Sequence, residues 1–192
     1  MTRDPDLPDL PAAPAARPAR FPVAAMLALA SGGFAIGTGE FVIMGLLPEV
    51  AASLNVSIAQ AGHAISAYAL GVTIGAPVLA VLTARWERRF LLVAMMLTLA
   101  LGNLASAAAA SYGWLLGLRF FAGLPHGAYF GAASLVAASL APPGRRASAV
   151  ALVMTGLTTS TVLGVPLAAR AGEWRAGARP SSAWGWPRWQ RP

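Results

Sequence analysis

Four polar side chains interrupt the long apolar runs of this sequence and are the candidates for chemistry: Glu40, Arg119, His126 and His63. Glu40 lies in the first apolar run, about seven residues before its end. A carboxyl group shielded from water at that depth can exchange a proton near neutral pH, as proton-coupled transport requires. The alternative is a carboxylate that reaches the nearby aqueous surface.

Arg119 stands at the head of a stripe of small residues in a later apolar run. Gly123, Gly127 and Gly131 follow it at steps of four, so all four positions lie on or near one helical face. Glycines at this spacing let another helix approach closely. We expect Arg119 to point into the bundle, where it can hold a substrate carboxylate or adjust the proton affinity of a nearby acid. The alternative is an arginine that reaches the outer headgroups.

The two histidines are far apart in sequence. His126 follows Pro125 beside the glycine stripe, and His63 lies five or six residues into the second apolar run. Either can line a polar cavity or relay a proton, and the alternative for each is a hydrogen-bonded structural histidine. Because the chain also lacks cysteine, we predict no metal site, no cofactor and no disulfide. No nucleophile–base set or phosphate-binding loop is visible, so we do not predict an enzyme.

The composition indicates a membrane protein. Of 192 residues, 57% are hydrophobic and only 11% are charged, against roughly 25% charged in ordinary soluble domains. The apolar runs do not alternate with polar residues, and open strands would leave backbone groups unpaired in lipid. We therefore predict an all-α integral membrane protein with a proline-rich disordered tail over residues 1–20. The predicted transmembrane helices are 21–47, 58–83, 90–110, 114–140 and 147–168.

The arginines predict the orientation of the chain in the bilayer. Three precede the first helix, three lie in the loop after the second helix (Arg85, Arg88 and Arg89), and two lie in the loop after the fourth. The two opposite connectors have none, so we expect the amino terminus on the cytoplasmic side of the plasma membrane. Arginines spread over loops and tails do not form a nucleic-acid patch, although the net charge is +7. The expected partner is the lipid bilayer.

The carboxyl-terminal segment, residues 169–192, does not fit this orientation. It carries five arginines, four tryptophans and three prolines, and after five spans it would lie on the outside. Short, positively charged segments are disfavoured there. We interpret it as an aberrant end, such as a shifted reading frame, and the alternative is an aromatic anchor at the interface.

Three partial motifs resemble those of the major facilitator superfamily. The loop after the second helix matches the family signature at Arg85, Arg88, Arg89 and Leu92, and departs from it at Ala80, Ala84 and Glu87. The fourth helix resembles a second family motif at Leu115, Arg119, Gly123 and Gly127. The fifth resembles the antiporter motif at Gly156 and Gly164, with Pro166 one residue later than usual.

The first span, residues 37–49, resembles the bacterial drug:proton antiporter branch, which includes sugar-efflux and chloramphenicol-resistance permeases. The resemblance covers residues 21–168 and implies proton-driven export of a small organic molecule by alternating access. Such transporters consist of two six-helix halves. We therefore expect this chain to be a truncated, transport-incompetent portion that would bind substrate and protons only when completed. The alternative is a small membrane scaffold protein whose glycine faces bind partner helices.

Overall fold

The computed structural model describes residues 22–167 and Arg170, and every regular element in this part of the chain is helical. The predicted all-α fold is therefore confirmed. The elements are α1 (Val23–Gly45), α2 (Leu47–Leu54), α3 (Ile58–Leu82), α4 (Arg88–Ala107), α5 (Tyr112–Leu140), α6 (Arg146–Thr159) and a π-helical turn (Ser160–Gly164) that continues α6. The tails predicted for residues 1–20 and 169–192 lie outside the described residues, apart from Arg170.

Four helical segments of the described chain are long and apolar enough to cross a membrane: Val23–Gly45, Ile58–Leu82, Arg88–Ala107 and Arg146–Leu167. The longest helix, α5, is not one of these four. Its 29 residues give a length of roughly 44 Å, more than a bilayer core needs. Since α5 packs against α3, α4 and α6, its less apolar surface is covered by protein rather than lipid.

The sequence predicted five helices, and the sixth is the short helix α2. It lies in the connector after α1, where the sequence indicated only a loop. Pro48 stands in its first turn, where a missing backbone N–H costs nothing. Asn55 ends it in the left-handed conformation (φ 53°), which asparagine tolerates better than most residues.

Glycines bring α3 and α5 into close backbone contact. A Cβ atom at Gly71 would overlap the carbonyl oxygen of Phe120, and one at Gly123 would overlap that of Tyr68. Gly127 lies against Ala76 in the same seam. Side chains larger than hydrogen at these positions would force the helices apart, so α3 and α5 form one tightly packed pair.

A second pair, α1 and α6, is built in the same way. A Cβ atom at Gly156 would overlap the carbonyl oxygen of Ala30, and one at Gly164 would overlap the Thr38 hydroxyl. The π-helical turn lies where this pair comes together, and its first residue, Ser160, is fully buried. Pro166 follows the turn and is exposed. It lacks the N–H that an α-helix would require at that position.

The loops at 83–87 and 141–145 lie at one end of this antiparallel bundle, which we call the arginine end. Near it, Tyr129 of α5 donates a hydrogen bond to the carbonyl oxygen of Leu29 at 2.8 Å. A cavity of about 1000 Å³ lies between α1, α4 and α5 on this side, with Arg88 and Arg89 among its lining residues. Polar side chains of α1, α3, α4 and α5, which we call the polar cluster, extend from the middle of the bundle toward the other end: Glu40, Tyr68, Asn103, Arg119 and His126.

Candidate functional site

Arg119 is the most buried charged residue in the described chain, with 3% of its surface exposed. Its guanidinium group crosses from α5 to α1 and α4. Nη1 donates to the carbonyl oxygen of Gly39 at 3.1 Å and to Oδ1 of Asn103 at 3.2 Å. Nη2 donates to the carbonyl oxygen of Glu40 at 3.3 Å. The arginine is thus held by three uncharged oxygens from two other helices.

Tyr68 of α3 covers another side of the guanidinium group. The carbon Cζ of Arg119 lies 4.7 Å from the centroid of the Tyr68 ring, which is a cation–π contact. Nε of Arg119 is buried and has no hydrogen-bond partner among the described residues. The arginine therefore touches three helices besides its own and keeps one donor free.

Glu40 directs its carboxylate toward His126 rather than toward Arg119. Oε2 of Glu40 lies 3.7 Å from Nδ1 of His126, and the two side chains are 24% and 12% exposed. The hydroxyl group of Tyr68 lies 3.1 Å from the same Nδ1 atom. His126 thus stands between an acid and a phenol, and which of them it bonds depends on its protonation and tautomer.

Helical periodicity explains why α5 contributes two of these groups. Arg119 and His126 are seven residues apart, or about two turns, so they lie on one face. His126 is the central residue of α5, and Arg119 lies two turns closer to the end opposite the arginine end. Glu40 enters from α1, and Gly39, the residue before it, leaves room for the amide of Asn103. Together these groups extend from the middle of the bundle toward that opposite end.

The structure keeps His63 apart from this cluster. Its Nδ1 atom lies 2.6 Å from the hydroxyl group of Tyr112, near the first turns of α3 and α5, and the histidine is exposed. The signature arginines Arg85, Arg88 and Arg89 are exposed at the arginine end. They make no contact with Glu40 or Arg119.

The glycine stripe continues toward the arginine end. Gly123 and Gly127 contact α3, whereas a Cβ atom at Gly131 would have no neighbour within 4 Å. Gly156 and Gly164 lie in the α1–α6 seam. Gly123, Gly127, Gly156 and Gly164 thus position helices, Gly131 contacts no other helix, and none of the five belongs to the polar cluster.

Sequence reasoning did not single out Tyr68 and Asn103. Asn103 is an amide inside an otherwise apolar run, which is a usable signal, because such groups seek partners away from lipid. Tyr68 offered no such signal, since tyrosines are common in membrane helices. Only the pairing of α3 with α5 and of α4 with α5 brings both residues to Arg119.

The cluster contains two titratable groups, whereas the terminal nitrogens of Arg119 are already bonded to protein oxygens. Glu40 and His126 can each take up and release a proton, and Arg119 supplies a fixed positive charge beside them. Among the described residues, no three His, Asp or Glu side chains are close enough to hold a metal ion.

Comparison with known sequences gives one family. The sequence profile of the Major Facilitator Superfamily matches residues 29–179. The chain is 48% identical over 153 residues to the inner membrane transport protein YdhP of Escherichia coli, with 78% of this chain and 39% of that protein covered. It is 44% identical over 156 residues to the uncharacterized MFS-type transporter YtbD of Bacillus subtilis, with 80% and 39% covered.

A third relative is the chloramphenicol resistance protein of Streptomyces lividans. It is 36% identical over 146 residues, which cover 76% of this chain and 37% of that protein. The chain thus spans about two fifths of the length of the curated relatives it matches, and it corresponds to an amino-terminal portion of a transporter of this kind.

Proposed function

The chain belongs to the major facilitator superfamily of membrane transporters, and we propose that it forms the amino-terminal part of a proton-coupled exporter of small organic molecules. Glu40 is the proton-carrying group, His126 its partner, and Arg119 the fixed charge beside them. The membrane is the bacterial inner membrane, and the amino terminus lies in the cytoplasm.

The observation that carries this proposal is the contact between Glu40 and His126, whose facing atoms are 3.7 Å apart. An ionisable acid inside a membrane bundle is costly, and such residues mark ion and proton pathways. Both side chains keep some exposed surface, so water or substrate can reach them without unfolding the bundle.

One relative supports export, rather than uptake, as the direction of transport. The name of the Streptomyces lividans protein states resistance to chloramphenicol, an outcome that efflux would produce. In such an exchange, substrate binds and the proton leaves on the cytoplasmic side, whereas substrate leaves and a proton binds on the outer side. Access from both sides requires two halves that rock about a central site. We therefore propose that the 192-residue chain, expressed by itself, does not transport.

Everted membrane vesicles test this function. One preparation carries the 192-residue chain, and a second carries residues 22–170 fused to the remainder of the Streptomyces lividans chloramphenicol resistance protein. With a respiration-generated proton gradient, we expect only the fusion to accumulate radiolabelled chloramphenicol, and nigericin should abolish the accumulation. Accumulation by the chain alone would contradict the proposal that it does not transport by itself. Accumulation that survives nigericin and an uncoupler would contradict proton coupling.

A further inference from the structure

We propose that Asn103 is a positioning residue. It keeps the guanidinium group of Arg119 bonded to backbone carbonyl oxygens of α1, so that the Glu40 carboxylate faces His126 instead of Arg119. The inference deepens the proposed function and rests on it for the role of Glu40. The positioning itself is a matter of geometry and can be tested without transport.

Arg119 makes no ion pair with the carboxylate of the neighbouring Glu40. Arg119 bonds to the backbone oxygen of Glu40. The one ion pair found for Glu40 among the described residues is with His126. A carboxylate is the strongest acceptor for a guanidinium group, and the pair usually forms when both are within reach. Something must therefore hold the guanidinium group away from that carboxylate.

Asn103 occupies the position needed to do this. Its Oδ1 atom accepts from Nη1 at 3.2 Å, and the same nitrogen donates to the carbonyl oxygen of Gly39 at 3.1 Å. The amide of Asn103 lies against Gly39 so closely that a Cβ atom at position 39 would overlap Nδ2 of Asn103. The amide of Asn103 therefore fits against α1 only because position 39 is a glycine.

The remaining sides of the guanidinium group are closed by other helices. The Tyr68 ring lies 4.7 Å from Cζ, and the backbone oxygens of α1 take both terminal nitrogens. Arg119 is only 3% exposed, so without the Asn103 oxygen its Nη1 atom would lose one of its two acceptors and water could not replace it. Buried donors without partners are unfavourable, so Arg119 should turn to the charged acceptor on the same residue of α1, the Glu40 carboxylate.

The test measures where Arg119 lies. The 192-residue chain is prepared in lipid bilayers with ¹⁵N-labelled arginine and ¹³C-labelled glutamate and glycine. Solid-state NMR then records dipolar coupling from the Arg119 Nη atoms to the Gly39 carbonyl carbon and to the Glu40 carboxyl carbon. Subtraction of the spectrum of the Arg119→Lys variant assigns the arginine signal, and Glu40→Gln assigns the carboxyl signal.

We expect Asn103→Leu to lose the coupling to Gly39 and to gain a coupling to the Glu40 carboxyl carbon. Asn103→Asp keeps an oxygen at the same position and should retain the native couplings. Thr98→Leu is the matched control on α4, since Thr98 is exposed and bonds only to its own helix. An Asn103→Leu protein that keeps the Gly39 coupling and shows none to Glu40 would overturn the proposal.

A failure of Asn103→Leu to fold is also informative. If Asn103 acts through Arg119, the double variant Asn103→Leu/Arg119→Gln should have the same helical content as Arg119→Gln alone, because the buried charge that lacked an acceptor is gone. Helical content below that of Arg119→Gln would assign Asn103 to packing alone and overturn the proposal. Neither measurement needs a substrate or a pH gradient, so a failure of the proposed function would leave both results unaffected.

Discussion

Arg119 lies beside Glu40 and donates to its backbone carbonyl oxygen at 3.3 Å, not to its carboxylate. The charge of the arginine is thus used to join α5 to α1, while the acid stays available to His126, 3.7 Å away. The two groups are adjacent, but the guanidinium group and the carboxylate contact different partners. A fixed cation near an acid that remains free to exchange its proton is an arrangement suited to coupling.

Replacement of Arg119 by lysine should destabilise the bundle. A lysine presents its three N–H donors on one nitrogen, so it cannot reproduce the spread geometry with which Nη1 and Nη2 of Arg119 bond to Gly39, Glu40 and Asn103. We expect the free energy of unfolding to fall by about 1.5–3 kcal/mol, the contribution of hydrogen bonds to charged groups. Titration with sodium dodecyl sulfate in mixed micelles, followed by circular dichroism, measures this change.

The matched control is Arg88→Lys, in an exposed position at the arginine end. Its unfolding free energy should change by less than about 0.5 kcal/mol. Equal stability of the two variants would contradict the role given to the Arg119 hydrogen bonds.

The seam between α3 and α5 should not tolerate a methyl group. In Gly71→Ala the new Cβ atom would overlap the carbonyl oxygen of Phe120, so one helix must move. We expect a loss of about 1–3 kcal/mol, as for other overpacked sites, in the same detergent titration. Gly131→Ala, where the added atom meets no neighbour, should be neutral or gain up to about 1 kcal/mol through helix propensity. A Gly71→Ala protein as stable as Gly131→Ala would refute the close contact.

The helical fold could be predicted from the sequence, because uncharged runs of membrane length admit only helices. The contacts of the glycine stripe could be predicted only in part. Four residues advance a helix by about 40° more than one turn, so Gly131 has rotated by about 80° relative to Gly123. The stripe therefore leaves the α3 seam before it reaches Gly131, where no neighbour is found.

The arrangement of the polar cluster could likewise be predicted only in part. A spacing of seven puts Arg119 and His126 on one face, and that much is local. The partners Asn103 and Glu40 are 16 and 79 residues from Arg119 in sequence. Their approach is set by which helices pack together, and a single sequence carries no direct signal of that. The position of His63 could not be predicted for the same reason. It lies apart from the cluster, and its partner is Tyr112.

Cysteine labelling tests the orientation of the chain, because the native sequence contains no cysteine. We expect Gly113→Cys to react with a membrane-impermeant maleimide in spheroplasts, since Gly113 is exposed at the end opposite the arginine end. Arg89→Cys should react only in everted vesicles. The inverse pattern would contradict a cytoplasmic amino terminus.

The role of Glu40 is tested most directly by Glu40→Gln in the fusion with the Streptomyces lividans chloramphenicol resistance protein, assayed in proteoliposomes. Glutamine keeps the shape of a protonated glutamate but cannot release a proton. Glu49→Gln, in α2, is the matched control and should behave as the unmodified fusion. For Glu40→Gln we predict that chloramphenicol counterflow persists while transport driven by an imposed pH gradient falls to the level of empty liposomes. Gradient-driven transport by Glu40→Gln at the rate of the unmodified fusion would contradict the assignment of Glu40 as the proton carrier.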